Sequence, residues 1–224
     1  MGYTTWFTGE LIPDKPFSKK FIKFINDFSE TRHEPRDIEK LKAKDVNWAQ
    51  NCLEGNMGPY GLYYVGPENA CRGIIDFGSI IDLNSYTPEE LAEIRKKWTA
   101  PGYWCDWHIN EKTGVVEWND SEKFYNYVEW LKFLVDNFFE PAGYKLNGEI
   151  FWEGEEREDI GVIVVKDNNI YTYNGTTVYF NYDKENEKIL ANFSDRQLLD
   201  ELIKRGIISW KENKNGTWLT HLFC

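Results

Sequence analysis

The stretch Asn119–Gly143, NDSEKFYNYVEWLKFLVDNFFEPAG, carries the strongest structural pattern in this sequence. Its apolar residues recur at three-to-four-residue spacing, with Phe124, Val128, Leu131 and Val135 along the middle of one face. This spacing is typical of an amphipathic helix with one face buried. We therefore predict a single long helix that spans almost the whole stretch.

Both ends of this predicted helix have matching signals. Asp120 or Ser121 would cap the first turn, because a short side-chain oxygen accepts an otherwise unpaired backbone N–H. Pro141 and Gly143 would end the helix. The apolar face also contains several aromatic residues, so it needs a wide partner, and a β-sheet is the simplest one.

The segments before this helix predict a β–α unit followed by a hairpin. Tyr3–Ile12 has the β-branched and aromatic content of a strand, and Ser18 can cap a helix after it. A capping box at Thr87 predicts a short helix from Pro88 to about Trp98. The segments Tyr103–Ile109 and Val115–Trp118 flank a glycine-containing turn and predict a β-hairpin.

Three strands are predicted after the long helix, at Lys145–Glu153, Ile160–Lys166 and Ile170–Tyr173. The last two are joined by the tight turn Asp167-Asn168-Asn169. Together they form an antiparallel meander.

This order of elements predicts an α+β fold, in which helices cover one face of an antiparallel sheet as in the ferredoxin-like split β-α-β arrangement. Residues 1–175 would form the core domain, with an irregular insertion at about 45–100 that holds candidate strands at Tyr60–Val65 and Gly73–Leu83. Residues 176–224 would form a small appendage with a strand at Thr177–Tyr182, a helix at Asp195–Arg205 and a last hairpin.

Composition limits the classes of function. The chain has 224 residues and a formal net charge of −11, which repels phosphate backbones and disfavours direct binding of nucleic acid. No run of residues is long and apolar enough to predict a membrane span. The four cysteines form no C-x-x-C pair, so we expect a reduced, cytoplasmic setting, and we predict no metal site and no cofactor.

A first candidate ligand-binding group follows the first predicted helix and consists of Arg32, His33, Arg36 and Asp37. An arginine offers a planar fork of donors that suits a phosphate or a carboxylate. A surface cluster of salt bridges would use the same residues.

A second candidate group lies in the pentapeptide Trp104–His108. In a continuous strand, Trp104, Asp106 and His108 would share one face, and Cys105 and Trp107 the other. A thiol and an imidazole on opposite faces cannot act on each other directly, which argues against a Cys–His nucleophile built from this segment. The alternative is a structural role, with tryptophans packed in a sheet around a buried cysteine.

The third candidate is an acidic turn between two predicted strands. Its carboxylates are Glu153, Glu155, Glu156, Glu158 and Asp159. Such a cluster can contact a partner or a hard cation, although charged hairpin turns are often simply solvated.

Several of these segments together resemble an uncharacterised family of bacteriophage and bacterial proteins. They are the opening GYTTWFTGEL, the segment ETRHEPRD at Glu30–Asp37, the segment YWCDW at Tyr103–Trp107 and the long run EKFYNYVEWLKFLVDNFFEPAGYKLNGEIFWEGEEREDIGVIVVKDN at Glu122–Asn168. The resemblance covers most of residues 1–168. It implies an origin and a domain boundary but no activity, since the family has none established.

Three classes of function remain open from the sequence. The first is a non-catalytic acidic binding protein whose partner is another protein of a bacterial cell, for example a phage-encoded inhibitor of a host or defence protein. The second is a protein that binds a small ligand or nucleotide, or a hydrolase acting on one, through the arginine–histidine group or the acidic turn. The third is a purely structural assembly protein, which would have a large apolar self-interface. No standard catalytic motif is present, which favours the first class.

Overall fold

A computed structural model describes residues 2–66 and 78–175 with their side chains, and residues 208–212 and 218–222 as backbone strands. Within these ranges the fold is α+β, with a six-stranded antiparallel sheet in the order β2-β3-β1-β4-β5-β6 and four α-helices. The strands of this sheet are β1 (Thr5–Pro13), β2 (Trp107–Ile109), β3 (Val116–Trp118), β4 (Leu146–Gly154), β5 (Ile160–Lys166) and β6 (Asn169–Asn174). The helices are α1 (Lys19–Ser29), α2 (Ile38–Lys44), α3 (Pro88–Lys97) and α4 (Tyr127–Leu134).

The first β–α unit forms as predicted. The Ser18 hydroxyl caps α1 by accepting the backbone N–H of Phe21 at 3.2 Å. Phe24, Ile25 and Phe28 lie on the buried side of this helix. The Asn26 side chain also donates to the carbonyl of Ile109 at 3.0 Å and accepts its N–H at 2.8 Å, which joins α1 to β2.

The predicted meander is confirmed. Strands β4, β5 and β6 pair in sequence, and β4 also pairs along its whole length with β1. Asp167 and Asn168 join β5 to β6 and both have positive φ, 48° and 69°. A two-residue turn with positive φ at both positions fits the right-handed twist of the strands on either side of it. Asn and Asp are among the residues that tolerate this conformation.

The predicted long helix is wrong at its beginning. Helix α4 begins at Tyr127 and continues through a π-helical turn, Val135–Phe139. Asn126 precedes it in a left-handed conformation without a side-chain cap, so neither Asp120 nor Ser121 caps the helix. Asn119 instead accepts the Ser121 N–H at 3.1 Å, a local turn that competes with helix formation.

Tertiary packing explains this difference. The ring of Phe124 packs 5.1 Å from Trp107 and 5.8 Å from Phe7, measured between centroids, and the Trp107 indole N–H donates to the carbonyl of Tyr127 at 2.8 Å. These contacts hold Phe124 against core-facing residues of β1 and β2, and the residues directly before Tyr127 do not form a helix. From Tyr127 onward the predicted faces are correct, since Leu131 and Val135 are buried, whereas Glu129 and Lys132 are exposed.

One aromatic-rich core joins α1, α4 and the covered side of the sheet. Phe28 of α1 packs 5.0 Å from Phe138, between ring centroids, and Phe7 of β1 packs 5.3 Å from Trp107 of β2. Edge-to-face contacts of this kind contribute beyond the area that they bury.

Helix α2 ends at Lys44, directly before the predicted insertion, whose described residues contain three short 3₁₀ turns and α3. Helix α3 has the predicted capping box between Thr87 and Glu90. The predicted strand at Tyr60–Val65 is wrong, because Tyr60 and Gly61 adopt positive φ of 53° and 73°, which bends the chain. A small separate core of Leu41, Cys52, Met57 and Tyr64 holds part of this region together.

Four predictions fall wholly or partly beyond the described residues, and the last hairpin is one of them because residues 213–217 lie there. Of the strand predicted at Gly73–Leu83, only the residues from Gly78 onward are described. Among them, Ile80 forms an isolated antiparallel bridge with Arg36. The strand at Thr177–Tyr182 and the helix at Asp195–Arg205 lie outside the described residues. Strands β7 (Ile208–Glu212) and β8 (Trp218–Leu222) pair in antiparallel fashion. Among the helices that the structure describes, none is long and apolar enough to cross a membrane.

Candidate interaction surface

The sheet has one face packed against the core and one face turned outward. In β1, Phe7 and Leu11 point into the core and are 7% and 0% exposed, whereas Trp6, Thr8 and Glu10 between and beside them are exposed. The register of the neighbouring strands carries this alternation across the sheet. We call the outward side the open face.

Apolar and aromatic side chains cover much of the open face. Its apolar members are Trp6, Ile12, Phe151, Ile160, Val162, Val164, Tyr171 and Tyr173. Trp6, Tyr171 and Tyr173 are each 49% exposed, far more than the aromatic residues of the core. A contiguous apolar surface of this kind marks an interaction site more often than scattered exposed residues do.

A row of carboxylates crosses the same face on three adjacent strands. Glu10 of β1 lies directly opposite Glu149 of β4. Leu11 pairs with Val116 of β3, so the antiparallel register places Glu117 beside Glu10 on the other side. Like charges in opposite positions of a sheet repel each other, and this row places three carboxylates side by side on the open face.

The second candidate group is divided by the structure. His108 lies on the open face at the end of the carboxylate row, where its Nε2 is 3.6 Å from an oxygen of Glu117. Asp106 is buried, and Trp104 is half-buried in the segment before β2. Because β2 begins only at Trp107, the alternation expected for a strand does not extend to Trp104 and Asp106.

The four residues of the first candidate group, Arg32, His33, Arg36 and Asp37, each contact different neighbours and do not line one site. Arg32 lies over the ring of Tyr103, with its guanidinium carbon 4.6 Å from the centroid. His33 and Arg36 are buried, and Arg36 donates to the Ser79 hydroxyl at 3.2 Å. Asp37 caps α2 by accepting backbone N–H groups of its first turn, which lowers the pKa of that carboxyl.

His33 is enclosed by aromatic rings. Its ring centroid is 4.1 Å from that of Phe28 and 5.1 Å from that of Trp130. Its Nε2 lies 3.1 Å from the carbonyl oxygen of Phe28 and donates to it in the tautomer that carries the proton there. Burial lowers the pKa of His33 from 6.5 to about 3, and the charge of Arg36 lowers it as well. The folded protein therefore holds this histidine neutral.

The acidic turn fastens the beginning of the chain to the end of β4. Asp159 accepts the Tyr3 hydroxyl at 2.7 Å and the Trp152 indole N–H at 3.1 Å. Glu155 accepts the backbone N–H of Thr4 at 2.8 Å.

The other three carboxylates of the turn, those of Glu153, Glu156 and Glu158, do not converge on one site with Glu155 and Asp159. Glu156 contributes its backbone N–H, which donates to the oxygen of Tyr3 at 3.1 Å, and the side chains of Glu153 and Glu158 are exposed. Glu153 lies opposite Trp6, at one border of the open face. Within the described ranges no three His, Cys, Asp or Glu side chains are grouped so that they could hold a metal ion.

The two described cysteines are buried free thiols. Burial raises the pKa of Cys52 to about 12, and it also raises the pKa of Cys105. Because only the thiolate is a strong nucleophile, neither residue is suited to nucleophilic catalysis.

We expect Cys52 and Cys105 to resist a soluble thiol reagent in the folded protein. In a Cys71→Ser, Cys224→Ser background, labelling at about pH 8 should be at least about a hundredfold slower than in urea, because both thiols are buried and protonated. Mass spectrometry after timed labelling measures this ratio. Rapid labelling of either cysteine in the folded state would contradict the prediction.

Comparison with known proteins gives no relative. No family model matches this chain, and no curated protein or solved structure matches it either.

The amino-acid sequence alone does not reveal the open face. The signal was present as alternation in Thr5–Pro13, where Trp6, Thr8, Glu10 and Ile12 occupy one side. In β4 and β5 both sides carry apolar residues, so the alternation there does not show which side meets the core. Only the position of the helices decides this.

Proposed function

We propose that this protein is a non-catalytic acidic binding protein that uses the open face to bind a basic surface of another protein in a bacterial cell. Inhibition of a host or defence protein by a phage-encoded protein is one form of this function. The observation that carries the proposal is the combination of exposed aromatic residues and a carboxylate row on one continuous face.

The aromatic residues supply anchors of the kind that protein interfaces favour. Trp and Tyr are enriched among the residues that contribute most to binding, because they bury a large area at a small cost in side-chain entropy. Trp6, Tyr171 and Tyr173 are half exposed on the open face. They leave room for a partner to bury the remaining half of each ring.

The carboxylate row supplies the charge preference. Glu10 and Glu149 are opposite each other, and like charges in such positions repel each other. Lysine or arginine side chains of a partner would be attracted to both carboxylates. Together with the net charge of −11, the row favours a basic protein surface over a nucleic acid.

We also propose that the first four strands, with α1 and α4, form a ferredoxin-like split β-α-β unit extended by β5 and β6. The order β2-β3-β1-β4, with α1 following β1 and α4 following β3, supports this assignment. An experimental structure with any other order of these four strands would contradict it.

A reduced, cytoplasmic setting belongs to the same proposal. Its support is that the two described cysteines are free thiols in the core.

The test is affinity capture from a bacterial lysate with the wild-type chain and with open-face variants, followed by measurement of the affinity of the purified partner. We expect Trp6→Ala and Tyr173→Ala each to weaken binding by at least about tenfold, as is usual for an aromatic anchor. Glu10→Gln should also weaken binding, and more strongly at low salt than at high salt.

The stability of the Glu10→Gln variant gives an independent readout. Removing one of two opposed charges should raise the free energy of unfolding by about 0.5 kcal/mol, while binding becomes weaker. Opposite effects on stability and binding are expected of a residue retained for function.

Matched controls are exposed side chains outside the six strands of the sheet. Tyr86→Ala removes a partly exposed aromatic residue and Glu129→Gln an exposed carboxylate of α4, and both should leave binding unchanged. A partner that binds all variants equally would show that the open face is not the site. A purified chain that retains a nucleotide, a nucleic acid or a metal and no protein partner would overturn the proposal.

A further inference from the structure

The two edge strands of the sheet differ in length and in their described contacts. Strand β2 at one edge has only three residues, and the Asn26 side chain bonds both the N–H and the carbonyl of Ile109 there. Strand β6 at the other edge has six residues, Asn-Ile-Tyr-Thr-Tyr-Asn, with neither a charge nor a proline. Proteins usually protect an exposed edge with charges, proline, a bulge or a very short strand, because unpaired backbone groups attract another strand.

The register shows which backbone groups of β6 point away from β5. Lys166 pairs with Asn169 across the two-residue turn, and beyond the strand the Gly175 N–H donates to the carbonyl of Ile160 at 2.7 Å. Hydrogen-bonded and non-hydrogen-bonded pairs alternate between these two points. The N–H and carbonyl groups of Ile170, Thr172 and Asn174 therefore point outward.

Asn174 and Gly175 do not form a tight hairpin turn at the end of β6. Asn174-Gly175 is a sequence that often forms a tight hairpin turn, which requires positive φ at both residues. Asn174 instead belongs to β6, and neither residue has positive φ. The bond from Gly175 to Ile160 keeps the chain beside β5, and no described strand pairs with the outer edge of β6.

We propose that the edge of β6 binds a second copy of this chain, so that two six-stranded sheets join into one. An antiparallel pair of β6 strands with its two-fold axis at Thr172 is self-complementary. Thr172 then exchanges two hydrogen bonds with its copy, and Ile170 lies opposite Asn174. On the open face Tyr171 lies opposite Tyr173 of the copy, and such aromatic and threonine pairs are favourable across strands.

Charge supports a second copy as the occupant. Each chain carries a net charge of −11, so most pairs of surfaces on two copies would bring carboxylates together. Strand β6 has no charged side chain, and pairing it with itself opposes none. This inference does not depend on the partner proposed for the open face.

The first test is the oligomeric state of the full chain by sedimentation equilibrium over a wide range of concentrations. We expect a monomer–dimer equilibrium. Thr172→Pro should weaken dimerisation by at least about tenfold, because it removes the outward N–H without affecting a bond to β5. Thr172→Val keeps that N–H and should dimerise as the wild type does.

Cross-linking locates the interface. In a Cys71→Ser, Cys224→Ser background, Thr172→Cys should form a disulfide-linked dimer under mild oxidation, because paired Cα atoms at this position would be about 5.5 Å apart. Glu129→Cys, on the exposed side of α4, is the matched control and should cross-link far less.

Three results would overturn the proposal. The first is a chain that remains monomeric at all concentrations, and the second is a dimer that Thr172→Pro leaves unchanged. The third is slow hydrogen exchange at the amides of Ile170, Thr172 and Asn174 in dilute, monomeric protein, since this would show that the chain covers its own edge.

Discussion

Replacing Gly148 with alanine is expected to lower the free energy of unfolding by at least about 3 kcal/mol, the largest effect of any single substitution that we predict. Gly148 in β4 has φ of 148°. Gly9 lies nearby on the neighbouring strand β1 and has φ of 110°. An added Cβ at Gly148 would collide with the backbone carbonyl of Glu10, and one at Gly9 with that of Glu149.

These two glycines lie on either side of the Glu10–Glu149 pair. Leu11 pairs with Gly148, and Gly9 pairs with Ile150, so the two strands approach closely at this point. A backbone carbonyl cannot move aside as the end of a flexible side chain can. Alanine at either position must therefore distort the longest strand pair of the sheet.

Urea unfolding measures this prediction, and Gly114→Ala is the matched control. Gly114 also has positive φ, 73°, but an added Cβ there meets no atom within 4 Å. It should cost only about 1 kcal/mol, the strain of a left-handed alanine. If the Gly148→Ala variant is as stable as the Gly114→Ala variant, β1 and β4 do not approach each other as closely as described.

The elements that the sequence predicted correctly are those whose signals are local. The Ser18 cap, the Thr87 capping box and the turn at Asp167 and Asn168 each depend on residues within a few positions of one another. The beginning of α4 depends on a distant contact instead. Phe124 fits the helical pattern, but the pocket formed by Phe7 and Trp107 holds it before the helix begins.

The candidate site was harder to predict for a related reason. Charged residues close together in sequence suggested ligand groups, yet Asp37 caps a helix and Asp159 holds Tyr3. The open face is made from strands far apart in sequence, and its carboxylates at positions 10, 117 and 149 come together only through sheet register. A single sequence contains no local signal for such a row.

The second large effect concerns pH. We expect the free energy of unfolding to fall by roughly 2 kcal/mol between about pH 7.5 and about pH 5, owing to His33 alone. The unfolded chain protonates this histidine near 6.5, whereas burial among Phe28 and Trp130 lowers the pKa of the folded state to about 3. Between these values the unfolded state binds more protons, so acid favours unfolding.

Urea unfolding at several pH values isolates this contribution when His33→Gln is compared with His108→Gln. The His33 variant should be less stable at neutral pH but should lose most of the slope between pH 7.5 and pH 5. His108 lies on β2 outside the core, with its Nε2 3.6 Å from an oxygen of Glu117, and its variant controls for the replacement of a histidine outside the aromatic enclosure. Carboxylates whose pKa is lowered in the folded state, such as Asp37 and Glu90, contribute mainly at lower pH and do not obscure this window. An unchanged slope in the His33 variant would mean that the imidazole is accessible to protons in the folded protein, and that the aromatic enclosure around it opens.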